Sequence, residues 1–393
     1  MATQTISVRM AVLIIINIIL GTGVFINSAM LIQKTGFLGG FLYPVAGLIF
    51  LPIVLGMARL VSYYKQGTFY TFGASISPFW AVFTSLFYFV SKLASATLSI
   101  TVFSRFLQYS IPFFATFHFL SIGAAIILLF TALNMLNVRL GGIIQIGFVI
   151  MKMTPLLAVI GAGLYHYNML VAVDPALLWD GCASGLPLLF FCFLGFESAC
   201  SLTPIIENPQ KNAARAIIIA FFSVLLLAFS FQTILYCVVG KSVVAGMTYT
   251  SIFPLFLTQT FSSLSSYLIP LFSLFIGCSA LGGAYGILYS NMWNLYTIGE
   301  NNTFVGSKLI TTCLSSGIPL YCIIAEGIGC FFYLILTQGA QLPLQMIATI
   351  GSVIVYAICM IVLFKREQSL LSCLGIFCAT LLLTISFYRF LWI

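Results

Sequence analysis

Four ionisable side chains stand inside long apolar stretches of this 393-residue sequence: Lys92, Lys152, Glu197 and Glu326. A charge at the centre of a bilayer costs on the order of 3 kcal/mol on insertion scales, so each is expected to face other helices rather than lipid. Groups so placed pair with one another, hydrogen-bond to backbone, or handle protons and substrate charge. For Lys92 and Glu326 a structural pair or hydrogen bond inside the bundle is the preferred reading. A fifth feature is uncharged. In the middle of the first apolar stretch the chain reads Gly21-Thr22-Gly23. Glycine adopts dihedrals that other residues avoid, and a hydroxyl offers a partner to released backbone groups. A helix broken at bilayer depth exposes amides and carbonyls that no water can satisfy, so it persists only where protein or ligand covers them. The simpler reading is a packing notch, because small residues also let helices approach closely.

These residues need apolar helices to hold them, and the composition supplies little else. The chain is 62% hydrophobic and 6% charged, against about 25% charged in a soluble domain. It is therefore expected to be an all-α polytopic membrane protein embedded in a lipid bilayer. A spanning helix takes about 20 apolar residues. Eleven such segments are expected, near 8–32, 39–61, 69–104, 119–138, 141–165, 183–203, 213–239, 266–297, 317–337, 342–364 and 369–391. The third and eighth are long enough to be tilted or to extend beyond the bilayer. The connection from Gly240 to Ser265 contains Ile252-Phe253-Pro254-Leu255-Phe256 and predicts a short interfacial helix. The first segment is too long for a signal-peptide core and lacks a clear cleavage site. No room remains for a separate soluble domain, so residues 1–393 form a single transmembrane domain.

The net charge of +8 does not signal nucleic-acid binding, because the basic residues are dispersed at segment ends. With the N-terminus in the cytoplasm, that side receives Arg9, Arg59, Lys65, Arg139, Lys211, Arg215, Lys308, Lys365 and Arg366. The outer side receives Lys34, Arg105, Lys241 and Arg389. The excess of basic residues predicts a cytoplasmic N-terminus and, with eleven spans, an outer C-terminus. A cell membrane is the expected location, the inner one for a bacterium. The eleven cysteines lie mostly in apolar segments and include no CxxC pair, so they read as small helix residues rather than metal ligands or disulfides. No cofactor and no metal is expected.

Segment six repeats the pattern of segment one: Phe191-Cys192-Phe193-Leu194-Gly195-Phe196-Glu197 sets a glycine and then an acid after an apolar run. Interrupted helices at corresponding positions of two halves are the best sequence pointer to a transporter binding site. Segments one to five (about 8–165) and six to ten (about 183–364) would then be inverted repeats, since five is odd, with an extra helix at about 369–391. The chemistry follows from the broken ends. Amides at the start of the second half of segment one, near Gly23, suit a carboxylate. Unpaired carbonyls near Phe193, at the end of the first half of segment six, suit an ammonium. Together they can hold both charged ends of an α-amino acid.

These residues resemble those of the amino acid–polyamine–organocation transporter superfamily, whose fold is the LeuT-type 5+5 inverted repeat with discontinuous helices one and six. The resemblance covers most of the chain. Gly21-Thr22-Gly23-Val24-Phe25 matches the family's first break, and Phe193-Leu194-Gly195-Phe196-Glu197 matches its second. Tyr63-Tyr64-Lys65-Gln66-Gly67-Thr68-Phe69-Tyr70 is similar to the stretch before the third helix. Glu207-Asn208-Pro209-Gln210-Lys211-Asn212-Ala213-Ala214-Arg215-Ala216-Ile217 matches a long and specific family signature. The resemblance implies that Ile19, Thr22 and Gly23 bind substrate from the first helix, with Phe191, Leu194 and Gly195 from the sixth. The Phe191 ring matches an aromatic that shuts over substrate. Lys152 matches a fifth-helix lysine near the place where sodium-dependent relatives hold a cation, which implies proton coupling or sodium independence. Glu197 matches a sixth-helix acid that senses protons or holds the inner pathway; the alternative is an acceptor for amides of the unwound turn. Glu207-Asn208-Pro209 reads as a helix stop. Lys211 and Arg215 are one turn apart at the entry to segment seven, where a role in an inner gate is the alternative. The sequence departs from the family at Ala214, where a proline is usual, at Asn291, where a basic residue is common, and in offering eleven spans rather than twelve.

The expected function is secondary active transport of an amino acid by alternating access, by proton symport or sodium-independent exchange. Exchange of a precursor for its amine product is the competitor within the class. No GxxxxGK[ST] loop occurs, so ATP-driven pumping is unsupported. A channel or non-transporting subunit is the alternative of another class, but no selectivity loop is evident. A membrane enzyme would need convergent catalytic groups, and His118 and His166 fall near outer loops without a partner motif. The pocket near Phe191, Leu194 and Ser95 has no acid except Glu197, which favours neutral substrates.

Overall fold

The computed structural model describes residues 5–165, 179–301 and 306–391; His166 lies outside the described residues. Of the described residues 83% are helical. In chain order the helices are α1 (Val8–Ile19), α2 (Gly23–Ile26), α3 (Ser28–Thr35), α4 (Leu38–Ser62), α5 (Phe69–Ala74), α6 (Pro78–Ser110), α7 (Pro112–Ala115), α8 (Phe119–Asn134) and α9 (Val138–Tyr165). They continue as α10 (Trp179–Cys192), α11 (Ser198–Leu202), α12 (Pro209–Val239), α13 (Tyr249–Thr260), α14 (Ser265–Glu300), α15 (Ser307–Ile310), α16 (Leu320–Thr337), α17 (Gln341–Glu367) and α18 (Leu370–Leu391). Among the described residues nine stretches are long and apolar enough to cross a membrane, and α8 and α10 contribute two shorter apolar helices. They follow the eleven expected segments in order, so the chain is an all-α, multi-pass membrane protein.

One expected boundary is corrected. The third segment does not begin at residue 69. The stretch divides into α5 and α6 around Ser77-Pro78. Proline supplies no amide and favours the first helical turn, and the Ser77 hydroxyl accepts a bond from the Trp80 amide at 3.4 Å. Gly73 lets α5 fold back on the new helix, because a Cβ there would overlap the Trp80 carbonyl. The helix expected after Gly240 is α13. Thr248 caps it in a reciprocal pair with Ser251. Its buried Phe253 ring stands 6.0 Å from Phe25, which packs α13 over the second part of the first segment.

The long α14 and α6 run against each other through the centre, and α1, α9, α11 and α16 all touch α14. Small residues make the closest of these approaches possible. A Cβ on Gly283 would stand 2.9 Å from the Cα of Gly21, and one on Gly286 2.7 Å from Ile18. The backbone of the first segment thus lies directly on α14, as small residues allow where helix contacts rest on van der Waals packing. Elsewhere α4 packs on α12, α17 lies between α6 and α18, and α10 rests on α3 and α4.

Candidate functional site

The first segment breaks where expected. The helix α1 ends at Ile19 and α2 begins at Gly23, with Thr22 as its N-cap. The sixth breaks after Cys192 and resumes at Ser198. The two breaks cross each other. Gly195 holds φ +128°, a conformation that L side chains rarely adopt, and its missing Cβ would lie 2.7 Å from Ile18 Cγ2. Gly23 faces the other arm: a Cβ there would lie 3.0 Å from Cys192 Sγ and 3.3 Å from the Phe191 ring. Hydrogen bonds bind the arms on either side of the crossing. Asn27 donates from Nδ2 to the Leu188 carbonyl at 2.9 Å. At the other end the Ile6 amide donates to the Ile205 carbonyl at 2.7 Å, and the Glu207 amide returns a bond to the Ile6 carbonyl at 3.0 Å.

A narrow cavity opens at the crossing. It is lined by Ile18, Ile19, Gly21, Thr22, Gly23, Lys92, Ser95, Ser99, Phe191, Leu194 and Ile287. Five of the six residues expected to bind substrate therefore meet at one place: Ile19, Thr22, Gly23, Phe191 and Leu194. The sixth, Gly195, shapes the crossing without lining the cavity. Its open volume is about 10 Å³, room for about one water molecule. Thr22 is 3% exposed, and its hydroxyl has no hydrogen-bond partner among the described residues. A buried, unpartnered hydroxyl is costly unless a ligand or water meets it. The first amides of α2 likewise have no acceptor within the helix. Across the gap the Phe191 carbonyl accepts a long bond, 3.4 Å, from the Leu194 amide, and a carbonyl has capacity for a second donor. The site offers donors on one side and acceptors on the other.

Lys152 is fully buried on α9 and donates to the carbonyls of Asn17 at 2.6 Å and Leu20 at 2.9 Å. These are carbonyls that the end of α1 leaves free, so the ammonium caps the negative end of the half-helix. Ser279 of α14 adds its hydroxyl to Leu20 O at 3.2 Å. Asn17 itself bonds to Gln145 and, at 2.8 Å, to the Gly282 carbonyl.

Glu197 and Lys92, each nearly or fully buried, form an ion pair. The other carboxylate oxygen, Oε2, accepts from the Gly195 amide at 2.9 Å, and Tyr88 donates to Oε1 at 3.4 Å. Glu197 thus accepts an amide of the unwound turn, as its alternative reading expected, and is charge-paired as well. Lys92 has the structural pair expected of it. Glu326 does not. It is buried on α16 beside Asn291, and among the described residues it has no ionic partner. Asn291 donates instead to the Phe89 carbonyl at 3.2 Å. His118 caps α8 by accepting from the Leu120 amide at 3.4 Å. Among the described residues no group of three His, Cys, Asp or Glu could hold a metal.

Sequence reasoning missed Ser99, Ile287 and Ser279. Ser99 had a legible signal: Lys92, Ser95 and Ser99 recur at three and four residues, which is one face of a membrane helix. Ser279 had none, because a lone serine in an apolar helix usually bonds its own backbone.

Known proteins bear on this geometry. The family profile described as Amino acid permease matches residues 6–388. A D-serine/D-alanine/glycine transporter from Escherichia coli K12 is 23% identical over 223 residues, covering 52% of this chain and 47% of the relative. The aromatic amino acid transport protein AroP of Salmonella typhimurium is 24% identical over 217 residues, covering 50% and 46%. An uncharacterized amino acid permease, YtnA, from Bacillus subtilis is 24% identical over 226 residues, covering 53% and 48%. The chain spans about half the length of the curated relatives it matches.

Proposed function

From the premise that this chain belongs to the amino acid permease family, matched over nearly its whole length, we propose that it is a secondary transporter that moves an amino acid across a membrane by alternating access. The observation that carries this reading is the crossing of two broken helices at a cavity with the unpartnered Thr22 hydroxyl. The substrate carboxylate sits on the Thr22 hydroxyl and the amides that open α2. Its ammonium faces the carbonyls at the end of α10. The Phe191 ring and Leu194 close over it. Chemically this is uniform recognition of an α-amino acid backbone, and the side chain points toward the Lys92, Ser95 and Ser99 face of α6.

The cavity holds about one water, so admitting an amino acid requires the walls to part. Each moving body takes helices from both proposed repeats, residues 8–165 and 183–364: α1 to α3 with α10 and α11 rock against α6 and α14. Lys92 is the ionisable residue among those lining the cavity, and it is paired with Glu197 behind it, which favours neutral substrates. Lys152 couples the cycle to protons. Its ammonium holds the carbonyl end of α1, and loss of that proton releases the hold. This reading makes a sodium ion unnecessary, because the lysine already supplies a cation to those carbonyls. The basic residues at helix ends favour a cytoplasmic N-terminus in a cell membrane. The relatives named as transporters of glycine and D-amino acids or of aromatic amino acids support the amino acid class.

The test is uptake into proteoliposomes across a radiolabelled amino acid and amine panel, with and without a pH gradient and with unlabelled substrate inside. Uptake driven by the gradient supports symport; uptake that needs internal substrate supports exchange. No uptake or exchange of any compound would refute the reading.

A further inference from the structure

Lys92 sits in a place that a purely structural ion pair would not need. Its side chain lines the cavity at the crossing, whereas Glu197 does not. Of the paired residues, Lys92 is therefore the one at the open space. Around that carboxylate are Tyr88 from α6, Tyr356 and Cys359 from α17, and Cys200 from α11. Among the described residues Lys92 is the one cation paired with it. The Gly195 amide occupies the carboxylate's other oxygen.

On the reading of this cavity as an amino acid site, we infer that Lys92 is a specificity-determining residue: by neutralising Glu197 from the cavity wall it bars substrates with cationic side chains and reserves the site for neutral ones. Consider an incoming lysine. Its side-chain ammonium must lose water, and a buried unpaired charge is strongly unfavourable. The acid that could compensate is already paired, and the cation nearest the cavity is Lys92, which repels it. Removing Lys92 inverts the argument. Glu197 becomes a buried carboxylate without a counter-ion, next to the space that the Lys92 side chain vacates, and a cationic side chain becomes its best partner. Removing Glu197 instead leaves an ammonium at the wall, which suits an anionic side chain. Removing both restores a wall of no charge and therefore the neutral preference. If the pair served only to hold α6 to the unwound turn, these changes would alter stability and leave the ranking of substrates alone.

The experiment uses the purified full chain and reads thermal stabilisation by alanine, norleucine, phenylalanine, lysine and glutamate, each titrated. For the natural sequence, the best neutral amino acid should act at a concentration about 10-fold or more below lysine and glutamate. Equal potency of lysine overturns the inference without any variant. In Lys92→Met, lysine should gain about 10-fold or more relative to the neutral set; in Glu197→Gln, glutamate should gain similarly. Lys92→Met/Glu197→Gln should rank ligands as the natural sequence does. Should Lys92→Met fail to fold, the Glu197→Gln and double variants decide: no gain for glutamate in the former overturns the proposal. Stabilisation by no amino acid at all in the natural sequence removes the proposed function, and the role of Lys92 with it.

Discussion

Replacing Lys152 by methionine keeps the length and apolar stem of the side chain and removes its charge. The structure allows the cost to be worked out. Two hydrogen bonds disappear, at 2.6 Å to Asn17 O and 2.9 Å to Leu20 O. Leu20 O keeps the Ser279 hydroxyl at 3.2 Å, so one buried carbonyl is fully orphaned. That costs about 1–3 kcal/mol. Against it stands the relief of no longer burying an ammonium, which in other proteins offsets much of the loss of an ion contact. The variant should therefore fold and insert, with a melting temperature lowered by a few degrees at most. Its transport should change in kind. If the proton on Lys152 holds the end of α1, the variant's rate should be flat with pH over the range in which the natural protein's rate varies. The assay is initial uptake in proteoliposomes at matched internal and external pH, scanned in steps, beside a melt of the same preparation. A Lys152→Met protein with an unchanged pH profile would assign this lysine to structure alone.

Two further substitutions probe the crossing. Thr22→Val removes a buried hydroxyl that has no partner among the described residues, so stability should hold or rise slightly, while substrate affinity falls about 10-fold with the loss of one hydrogen bond to a charged group; a calorimetric titration reads both, and unaltered affinity would discard the carboxylate site at Thr22. Gly23→Leu puts a side chain where even a Cβ lies 3.0 Å from Cys192 Sγ, so substrate-induced stabilisation should vanish while the protein still inserts; wild-type affinity in that variant would place the substrate elsewhere.

The helices and both breaks were legible because each has a local cause. Apolar runs of about 20 residues make spans, and Gly21, Gly23 and Gly195 mark the points where they fail. Ser77-Pro78 was as local a signal, yet the apolar residues on either side of it masked the start of α6. The pairing of charges was not legible. Lys92 and Glu197 are separated by more than a hundred residues, and Lys92 had equal claims on Glu326 from the sequence alone. What decides between them is the Gly195 turn: at φ +128° it presents its amide to Glu197 and carries the acid toward α6. Glu326, on an unbroken helix, is carried to Asn291 instead. Side-chain partners across a bundle depend on helix rotation and depth, which periodicity leaves undetermined to within about a turn.

The partners of the first break also carry information about assembly. Lys152 is 132 residues beyond Leu20, and Ser279 is 259 residues beyond it. The acceptor for the Ile6 amide lies at Ile205. When the first segment enters a bilayer during synthesis, none of these groups has yet been made. Lipid supplies no hydrogen bonds, so its own ladder is then the available partner for the amides and carbonyls around Gly21. The segment is therefore expected to be inserted as one continuous helix and to be broken later, when α9, α10 and α14 arrive. On this expectation the break is the last local structure of its segment to form, imposed by distant residues on a stretch that two glycines leave easy to unwind. A chain ending before residue 152 should hold the helical form, with slow hydrogen exchange at Gly21 to Val24; fast exchange there would show that the break precedes its partners.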